Sequence, residues 1–366
     1  MMKILHVLNE LKFSGAEIMY VAAANEFKSL GCQLYVVNTA SRRGEYAPFF
    51  EKAGYKVFLR PYKKSVFNYK YMHNVISFLK KEKIDVVHIH RSDMRWCMSY
   101  CAWRAGCKAV YTFHNVFRSS WYSYLHHVWL RWSAKHIFGC IFQTISDSVC
   151  DNEKEYYHNK TIKIYNWYDS NRFSPANKDE KNIIRNKLNI PSDALVLISV
   201  GGCSPIKRHS DIIKALPVIL KKYPDTVYLH LGKGDTLNDE IQLARKLKVE
   251  KNIRFEGNKN NVREFLIASD IYLMPSKFEG ISITAIEAMA CKIPEILYNV
   301  PGLRDFNKKR ECAYLIEENC LLLAKAVTDL FSDKNKMSFL SENGKKFVNE
   351  NFCMKDNVKK IFELYK

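Results

Sequence analysis

Short apolar segments alternate with helical patterns along most of this chain. The first half contains KILHVLNEL, QLYVVNTA, IDVVHIH, KAVYTFH and CIFQTIS, and amphipathic stretches such as AEIMYVAAANEFKSLG lie between several of them. This alternation is typical of a parallel sheet that is covered by helices on both faces. The sequence therefore predicts an α/β fold with doubly wound sheets.

A polar segment with prolines near both ends, FSPANKDEKNIIRNKLNIPSD, interrupts the alternation near the middle of the chain. The same alternation then resumes from LVLISVGG to EILYN. A chain of 366 residues is long enough for two domains of ordinary size. We therefore predict two Rossmann-like domains, at 1–172 and 193–345, joined by a linker at 173–192.

Composition excludes several classes of protein. The hydrophobic fraction of 47% and the charged fraction of 26% are those of an ordinary soluble globular protein. The 11 cysteines show no CxxC and no paired Cys/His spacing, which favours reduced thiols over a disulfide framework or a zinc site. The first apolar run is short for a signal peptide, and no run reaches the roughly 18 residues of a membrane span. We expect a cytoplasmic protein.

The net charge of +19 indicates an anionic partner. The excess of lysine and arginine is spread over both halves, so it is not a basic tail. Charge alone leaves three classes open, namely nucleic acid, an anionic membrane and phosphorylated small molecules.

Residues 275–296, PSKFEGISITAIEAMACKIPEI, narrow this choice. The preceding run ASDIYLMPS predicts a buried strand, and a helix is expected to begin near Ser282 as its N-cap. A strand, a glycine-containing turn and a new helix N-terminus form an anion site, because the first helical amides have no intrahelical partner. Glu279 and Glu287 would frame the bound anion.

Several motifs have an order and spacing that resemble those of the retaining family 4 (group 1) glycosyltransferases. The second half contains VGGCSPIKRH, LHLGKGD and IRFEGNKNN before EGISITAIEA, and the first half contains FSGAE, DVVHIH, YTFHN, QTISDSV and IYNWYDSNRFSP. The resemblance covers essentially the whole chain. It implies the GT-B fold, with an acceptor-binding first domain, a donor-binding second domain and a C-terminal segment, 346–366, that returns to the first domain.

The resemblance also implies an activity. It predicts transfer of a hexose-type sugar from a nucleoside-diphosphate sugar to a hydroxyl of a glycan or polyprenyl-linked acceptor, with retention of anomeric configuration. Bacterial surface polysaccharide assembly, including capsule and O-antigen, would be the setting. Two alternatives stay open: another GT-B enzyme, such as an inverting transferase or a sugar-nucleotide epimerase, and a nucleic-acid-binding protein. The latter gives the two glutamates no purpose, so we expect no nucleic-acid partner.

The resemblance assigns roles in the second domain. Glu287 would accept hydrogen bonds from the ribose hydroxyls of the donor, and Glu279 would contact the hydroxyls of the donor sugar. Backbone amides at the helix N-terminus would face the diphosphate and the sugar. The residues that supply these amides are Gly280, Ile281, Ser282 and Ile283.

Lys207 in SPIKRH resembles the family lysine that neutralises the departing diphosphate. The sequence departs from the family pattern at Gly202, where most relatives have an arginine. Arg208 and Lys277 are candidates to replace that contact. No Asp-x-Asp motif occurs. Lys207 together with helix amides can neutralise the negative charge of the diphosphate, as a divalent ion would. We therefore expect no metal and no cofactor beyond the nucleotide-sugar substrate.

Loops in both domains complete the predicted site. Gly15 in FSGAE would allow close approach of backbone to a phosphate or sugar. His114 in YTFHN resembles the family histidine beside the donor sugar, and His90 is a further candidate at a strand end. Gly257 and Asn258, in GNKNN, resemble the loop that holds the nucleotide base through backbone groups.

A tryptophan- and arginine-rich region at 91–136 has two interpretations. Its pattern places Trp121, Leu125, Trp129 and Trp132 on one helical stripe. The favoured interpretation is that such helices bury their aromatic residues against the sheet of the first domain. The alternative is an interfacial surface that makes peripheral contact with an anionic membrane.

Overall fold

The protein is described here by a computed structural model, which covers residues 1–62 and 68–366. The chain forms two compact units. The first unit contains Met1–Asp169 together with Met354–Lys366, and the second contains Ser170–Cys353. Residues 173–192, the predicted linker, therefore lie within the second unit, where they contribute a helix.

The first unit is built on a parallel sheet with the strand order β3-β2-β1-β4-β5-β6-β7. Its strands are β1 (Met2–Leu8), β2 (Cys32–Asn38), β3 (Lys56–Leu59), β4 (Val86–Ile89), β5 (Lys108–Phe113), β6 (Ile141–Thr144) and β7 (Ile162–Lys163). Its helices before the crossing into the second unit are α1 (Gly15–Ala22), α2 (Ala24–Ser29), α3 (Ala47–Lys52), α4 (Tyr69–Glu82), α5 (Arg95–Ala105), α6 (Tyr124–His136) and α7 (Asp147–Asp151).

The second unit is built on a parallel sheet with the strand order β10-β9-β8-β11-β12-β13. Its strands are β8 (Val196–Val200), β9 (Val227–Leu231), β10 (Ile253–Phe255), β11 (Ile271–Met274), β12 (Glu295–Tyr298) and β13 (Tyr314–Ile316). Its helices are α8 (Lys178–Lys187), α9 (His209–Lys222), α10 (Leu237–Lys246), α11 (Val262–Ala268), α12 (Ile283–Ala290), α13 (Cys320–Ser332) and α14 (Lys334–Asn351).

The central strands of both sheets are buried along their whole length, as in β4, β8, β11 and β12. Helices that cover both faces of a parallel sheet remove every strand side chain from water, so the strands read as continuous apolar runs rather than alternating patterns. This confirms the α/β fold class that the sequence predicted. Among the described residues, no helix has the length and apolar character that a membrane crossing requires.

The last helix, α15 (Met354–Tyr365), belongs to the first unit, whereas α14 belongs to the second. Two hydrogen bonds anchor it: the Tyr365 hydroxyl lies 2.6 Å from His88 Nδ1, and Asn357 Nδ2 donates to the Asn166 carbonyl at 3.0 Å. The sequence placed the start of the returning segment at 346, within what the structure shows to be α14.

Each sheet reverses its winding direction at one point. The reversal lies between β1 and β4 in the first unit and between β8 and β11 in the second. Loops that leave the carboxyl ends of such neighbouring strands diverge to opposite faces and open a crevice, which is where ligands bind in this kind of sheet. The loops that follow β8 and β11 are therefore placed next to each other by the topology.

Glu295, at the start of β12, is fully buried. Its carboxyl oxygens make no hydrogen bond of good geometry with the described residues. Burial raises the pKa of Glu295 well above its usual range, and the nearby Met289 amide does not offset this effect. A carboxyl with a raised folded-state pKa stays protonated in the folded protein while the unfolded chain ionises. It therefore lowers stability as pH rises above roughly 4.3.

We predict that Glu295→Leu raises the free energy of unfolding at pH 7 by about 1–3 kcal/mol, because leucine replaces the buried polar side chain with an apolar one of similar volume. The gain should shrink as the pH falls toward 4. Urea denaturation at both pH values measures it. Exposed Glu311→Leu is the control and should stay within about 0.5 kcal/mol of wild type. An equal gain from Glu295→Leu at pH 4 and pH 7 would contradict the assigned cause.

Candidate active site

Two residues from separate motifs meet at the reversal point of the second sheet. Lys207 lies on the loop between β8 and α9, and Glu279 lies on the loop between β11 and α12. Lys207 Nζ donates to Glu279 Oε1 at 2.7 Å, and both side chains are largely shielded from solvent. The loops are also joined through backbone, since the Lys277 amide donates to the Ile206 carbonyl at 2.8 Å. The topology thus pairs a cation and an anion at the mouth of the crevice.

Helix α12 begins beside this ion pair, as the sequence predicted. Ser282 is its N-cap, and the Ser282 hydroxyl accepts a hydrogen bond from the Ala285 amide at 3.2 Å. The Thr284 hydroxyl donates to the Val200 carbonyl at 3.1 Å, which ties the first turn to the end of β8. The remaining first-turn amides and the helix dipole create positive potential where an anion can bind.

Glu287 lies in the second turn of α12 and is only 8% exposed. A nearly buried carboxylate one turn inside a helix N-terminus is placed to accept two hydrogen bonds from a ligand whose phosphates lie at that N-terminus. Among the other predicted residues at the start of this helix, Ile281 and Ser282 are buried and Ile283 is half-buried. Gly280 is buried immediately before them.

Arg208, a predicted replacement for the family arginine, is engaged elsewhere. Its guanidinium forms ion pairs with Asp211, at 2.8 Å, and with Glu318. It also lies over the Tyr298 ring, with 5.3 Å between the guanidinium carbon and the ring centroid. Two carboxylates already compensate its charge, so Arg208 is poorly suited to hold a diphosphate. Lys277, the other candidate, is exposed on the loop before Glu279.

The surroundings of Gly202 point to a lysine that sequence reasoning missed. A Cβ atom at Gly202 would meet only the Lys233 carbonyl oxygen, at an ordinary 3.5 Å, so the site has room for a side chain. Lys233 is exposed just after β9. Its Cε would lie 2.9 Å from a Cβ atom at Gly257, whose φ of 67° also favours glycine. The signal was its place in LHLGKGD, directly after a predicted strand.

Gly257 and Asn258 follow β10 and therefore lie at the same edge of the sheet as Lys233. Asn258 is exposed, and Gly257 is half-buried against the lysine stem. The role of this loop in holding the nucleotide base stays a prediction from the sequence.

In the first unit, Gly15 begins α1 and is exposed, after the N-cap residue Ser14. The Ser14 hydroxyl donates to the carboxylate of Glu17, which is buried. Burial raises the pKa of Glu17, and the Ser14 hydrogen bond partly opposes this shift. The loop after β1 is thus braced by a short-range contact between its own residues.

His114 ends a chain of three hydrogen-bonded imidazoles. His114 Nε2 lies 3.0 Å from His90 Nδ1, and His90 Nε2 lies 3.1 Å from His6 Nδ1. Desolvation lowers the pKa of His114 to about 4 and that of His6 to about 3. The same effect, with help from neighbouring histidines, lowers the pKa of His90. All three rings are therefore neutral at pH 7, and His114 can act through hydrogen bonds but not as a cation.

The aromatic residues after β5 form a surface rather than a core. We call it the aromatic face, and it consists of Phe117, Trp121, Tyr122, Leu125, Trp129 and Trp132. Exposure ranges from 50% for Trp129 to 88% for Trp121. The interpretation of this stripe as the inner face of a core helix is therefore wrong. The inward side of α6 instead carries Arg131, Ser133 and Ala134.

A buried ion pair explains why the aromatic stripe of α6 faces outward. The Arg131 guanidinium forms two hydrogen bonds of 2.8 Å with the Glu153 carboxylate and lies 3.4 Å from the centroid of the Tyr157 ring. Arg131 and Glu153 are both buried, so removing either would leave a charge without its partner. This pair fixes the rotation of α6 and directs its tryptophans outward.

The chain is similar to known proteins over most of its length. Residues 180–347 match the family described as glycosyl transferases group 1, and residues 13–172 match glycosyltransferase family 4. An Escherichia coli UDP-Gal:alpha-D-GlcNAc-diphosphoundecaprenol alpha-1,3-galactosyltransferase is 27% identical over 99% of this chain and 96% of its own length. A Staphylococcus aureus capsular polysaccharide biosynthesis glycosyltransferase, CapH, is 22% identical over 94% of each chain.

Among solved structures, Anabaena Alr3699/HepE in complex with UDP and glucose superimposes with a TM-score of 0.85, at 18% identity over 99% of each chain. Similarity at that level of identity concerns the fold, and it assigns the GT-B fold to this protein. The two family matches together span nearly the whole chain, with one match in each compact unit. The chain belongs to the family 4 (group 1) glycosyltransferases.

Proposed function

We propose that this protein is a retaining, metal-independent hexosyltransferase that uses a nucleoside-diphosphate sugar. The observation that carries the proposal is the 2.7 Å contact between Lys207 and Glu279 beside the N-terminus of α12. A fixed cation, the amides of a helix N-terminus and two carboxylates are groups that can bind an anionic sugar nucleotide.

The ion pair suggests how the donor is received. In the structure, Glu279 holds the Lys207 ammonium in place. An incoming diphosphate brings more negative charge than one carboxylate, so it competes for the same ammonium. Glu279 is then free to accept hydrogen bonds from sugar hydroxyls. Lys207 is thereby positioned before the glycosidic bond breaks, which lowers the cost of reorganisation in the transition state.

The chemical step needs no divalent ion in this proposal. Negative charge grows on the diphosphate as its bond to the sugar breaks, and Lys207 with the α12 amides neutralises it. The departing phosphate oxygen takes the proton of the acceptor hydroxyl, which attacks from the same face of the sugar. His114 is neutral and contributes a hydrogen bond to the donor sugar. We assign no protein nucleophile.

The relatives suggest the substrates. Anabaena Alr3699/HepE binds UDP and glucose, so a uridine-diphosphate hexose is the first donor to test. The Escherichia coli relative acts on a diphosphoundecaprenol-linked sugar, and CapH belongs to capsule synthesis. We therefore propose a polyprenyl-linked or glycan acceptor in surface polysaccharide assembly, at the cytoplasmic face of the membrane. We propose no nucleic-acid partner.

An inverting transferase or an epimerase on the same fold is the alternative. Proton NMR of the product separates them, because the coupling constant of the anomeric proton reports configuration. A retained α-linkage supports the proposal. An inverted linkage, or release of an isomerised nucleotide sugar without transfer, would refute it.

We predict that Glu287→Gln weakens UDP binding about tenfold or more, because hydrogen bonds to a charged acceptor contribute about 1.5–3 kcal/mol. Isothermal titration calorimetry with UDP measures the change. Glu311→Gln, on an exposed position of the same unit, is the matched control and should bind like wild type. Unchanged UDP affinity in Glu287→Gln would exclude the ribose assignment.

We predict that Lys207→Ala lowers kcat by about 100-fold or more, with a smaller change in donor affinity, because its charge is needed most in the transition state. Steady-state kinetics with the donor, together with UDP titration, separates the two effects. Lys221→Ala, an exposed lysine of α9, is the control. A variant with normal kcat and only a raised KM for the donor would assign Lys207 to ground-state binding alone.

We further propose that the aromatic face attaches the enzyme peripherally to an anionic membrane. Exposed Trp and Leu side chains can enter the interfacial region of a bilayer, and the net charge of +19 favours anionic headgroups. Arg118 is exposed at the edge of the face. A membrane-bound enzyme would meet a polyprenyl-linked acceptor in two dimensions rather than three.

We predict stronger binding to phosphatidylglycerol vesicles than to phosphatidylcholine vesicles, and weaker binding at higher salt. The triple change Trp121→Ser, Leu125→Ser and Trp132→Ser should reduce vesicle binding more than tenfold, since each buried apolar side chain contributes about 1.5–3 kcal/mol. Leu321→Ser with Phe339→Ser, at exposed sites of the second unit, is the control. Vesicle sedimentation measures the bound fraction. Equal binding by the triple variant and wild type would refute a membrane role for this face.

A further inference from the structure

Four buried metal-ligating side chains converge beside the Lys207 loop. They are Cys203, His209, His230 and Glu240, and their ligand atoms all lie within 4.8 Å of one another. His230 Nε2 lies 2.9 Å from Glu240 Oε2 and 3.9 Å from Cys203 Sγ. His209 Nδ1 lies 3.8 Å from the same Glu240 oxygen. The proposed sugar-transfer mechanism uses none of these four side chains.

The four residues come from four elements of the second unit. Cys203 follows β8, His209 begins α9, His230 lies in β9 and Glu240 lies in α10. They are spread over nearly forty positions without a short paired motif, so a metal site could not be predicted from residue spacing. The fold alone brings them together, through the neighbouring strands β8 and β9 and the helices that follow them.

Hydrogen bonding leaves this cluster incomplete. All four side chains are no more than 3% exposed. His209 Nδ1 is buried without a hydrogen-bond partner among the described residues, because the 3.8 Å between His209 Nδ1 and Glu240 is too long for a hydrogen bond. Buried polar groups are costly when they are left unpaired. His209 Nδ1 therefore lies near the Glu240 carboxylate but forms no hydrogen bond with it.

The donor set suits a tetrahedral zinc ion, and separations of up to 4.8 Å between the ligand atoms would have to contract when the ion binds. Zinc takes thiolate, imidazole and carboxylate ligands at about 2.0–2.3 Å, which separates ligand atoms by roughly 3.3–3.8 Å. Two of the observed separations, 3.8 and 3.9 Å, are close to this range, and the 2.9 Å contact would have to open by less than 1 Å. One thiolate and one carboxylate would balance the 2+ charge. Calcium and magnesium prefer oxygen ligands and do not suit this set.

A neighbouring hydroxyl orients the carboxylate. The Thr236 hydroxyl donates to Glu240 Oε1 at 2.7 Å, which turns the other carboxylate oxygen toward the two histidines. Such contacts around a metal site fix ligand orientation, and their loss typically weakens metal affinity.

We propose that Cys203, His209, His230 and Glu240 bind one Zn²⁺ ion as a closed structural site. Four protein ligands leave no open position for substrate, so the ion takes no part in sugar transfer. Cys203 and His209 bracket residues 204–208, and the ion therefore fixes both ends of the segment that carries Lys207. The proposal is independent of the donor and acceptor assignments, because it rests only on buried groups of the second unit.

The test uses tag-free, full-length protein that is stripped with a chelator, incubated with ZnCl₂ and desalted. Mass spectrometry of metals should find one zinc per chain in wild type and in Cys312→Ser, which removes another buried cysteine of the same unit. Cys203→Ser and Glu240→Gln should lose zinc. Substoichiometric zinc in the wild type, or full zinc content in both ligand variants, would overturn the proposal.

Cobalt substitution keeps the test decisive where a ligand variant fails to fold. Wild-type protein loaded with CoCl₂ should show thiolate-to-cobalt charge-transfer absorption and the intense visible bands of tetrahedral Co²⁺. Thr236→Val, which keeps all four ligands, should bind Co²⁺ about 10–100-fold more weakly. Absence of both absorption features in the wild type would exclude a thiolate-containing tetrahedral site. UDP titration of the same samples reports the donor site separately.

Discussion

The contact between Lys207 and Glu279 depends on the order in which the second sheet is wound. Neighbouring strands β8 and β11 lie on either side of the reversal point, so the loops that leave their carboxyl ends are adjacent although 72 residues separate the two side chains. The start of α12 is placed by the same strand end. Strand order therefore sets the position of the cation, the carboxylate and the helix amides at once, before any ligand contributes.

The parts of the site that could be predicted are those that depend on interactions between residues close together in the sequence. Ser282 caps α12 because a serine before an apolar helical run accepts a hydrogen bond from the first turn, and that signal is readable in the sequence. The fold class followed from alternation of apolar runs. Arg208 could not be excluded in this way, because its partners Asp211 and Glu318 include one that lies far along the chain. Lys233 was overlooked although it directly follows a predicted strand, because its proximity to Gly202 and Gly257 appears only in the fold.

Helix α6 shows a different limit of sequence reasoning. Periodicity identifies an apolar stripe but does not say whether that stripe faces the core. Here Arg131 decides, because its buried pairing with Glu153 occupies the inward side of the helix. The favoured interpretation failed by assuming that aromatic residues outcompete an arginine for the interior. Burial of a charge depends on its partner, and that partner lies 22 residues away.

This orientation has an energetic consequence for the free protein. Exposed Trp121, Leu125 and Trp132 forgo the stabilisation that burial would give, about 1.5–3 kcal/mol for a side chain of this size. The buried Arg131–Glu153 ion pair, which is itself costly to desolvate, keeps these three side chains on the surface. Core packing does not explain that combination. We propose that an interfacial membrane environment covers the aromatic face, which would bury its apolar side chains and leave Arg118 at the headgroups.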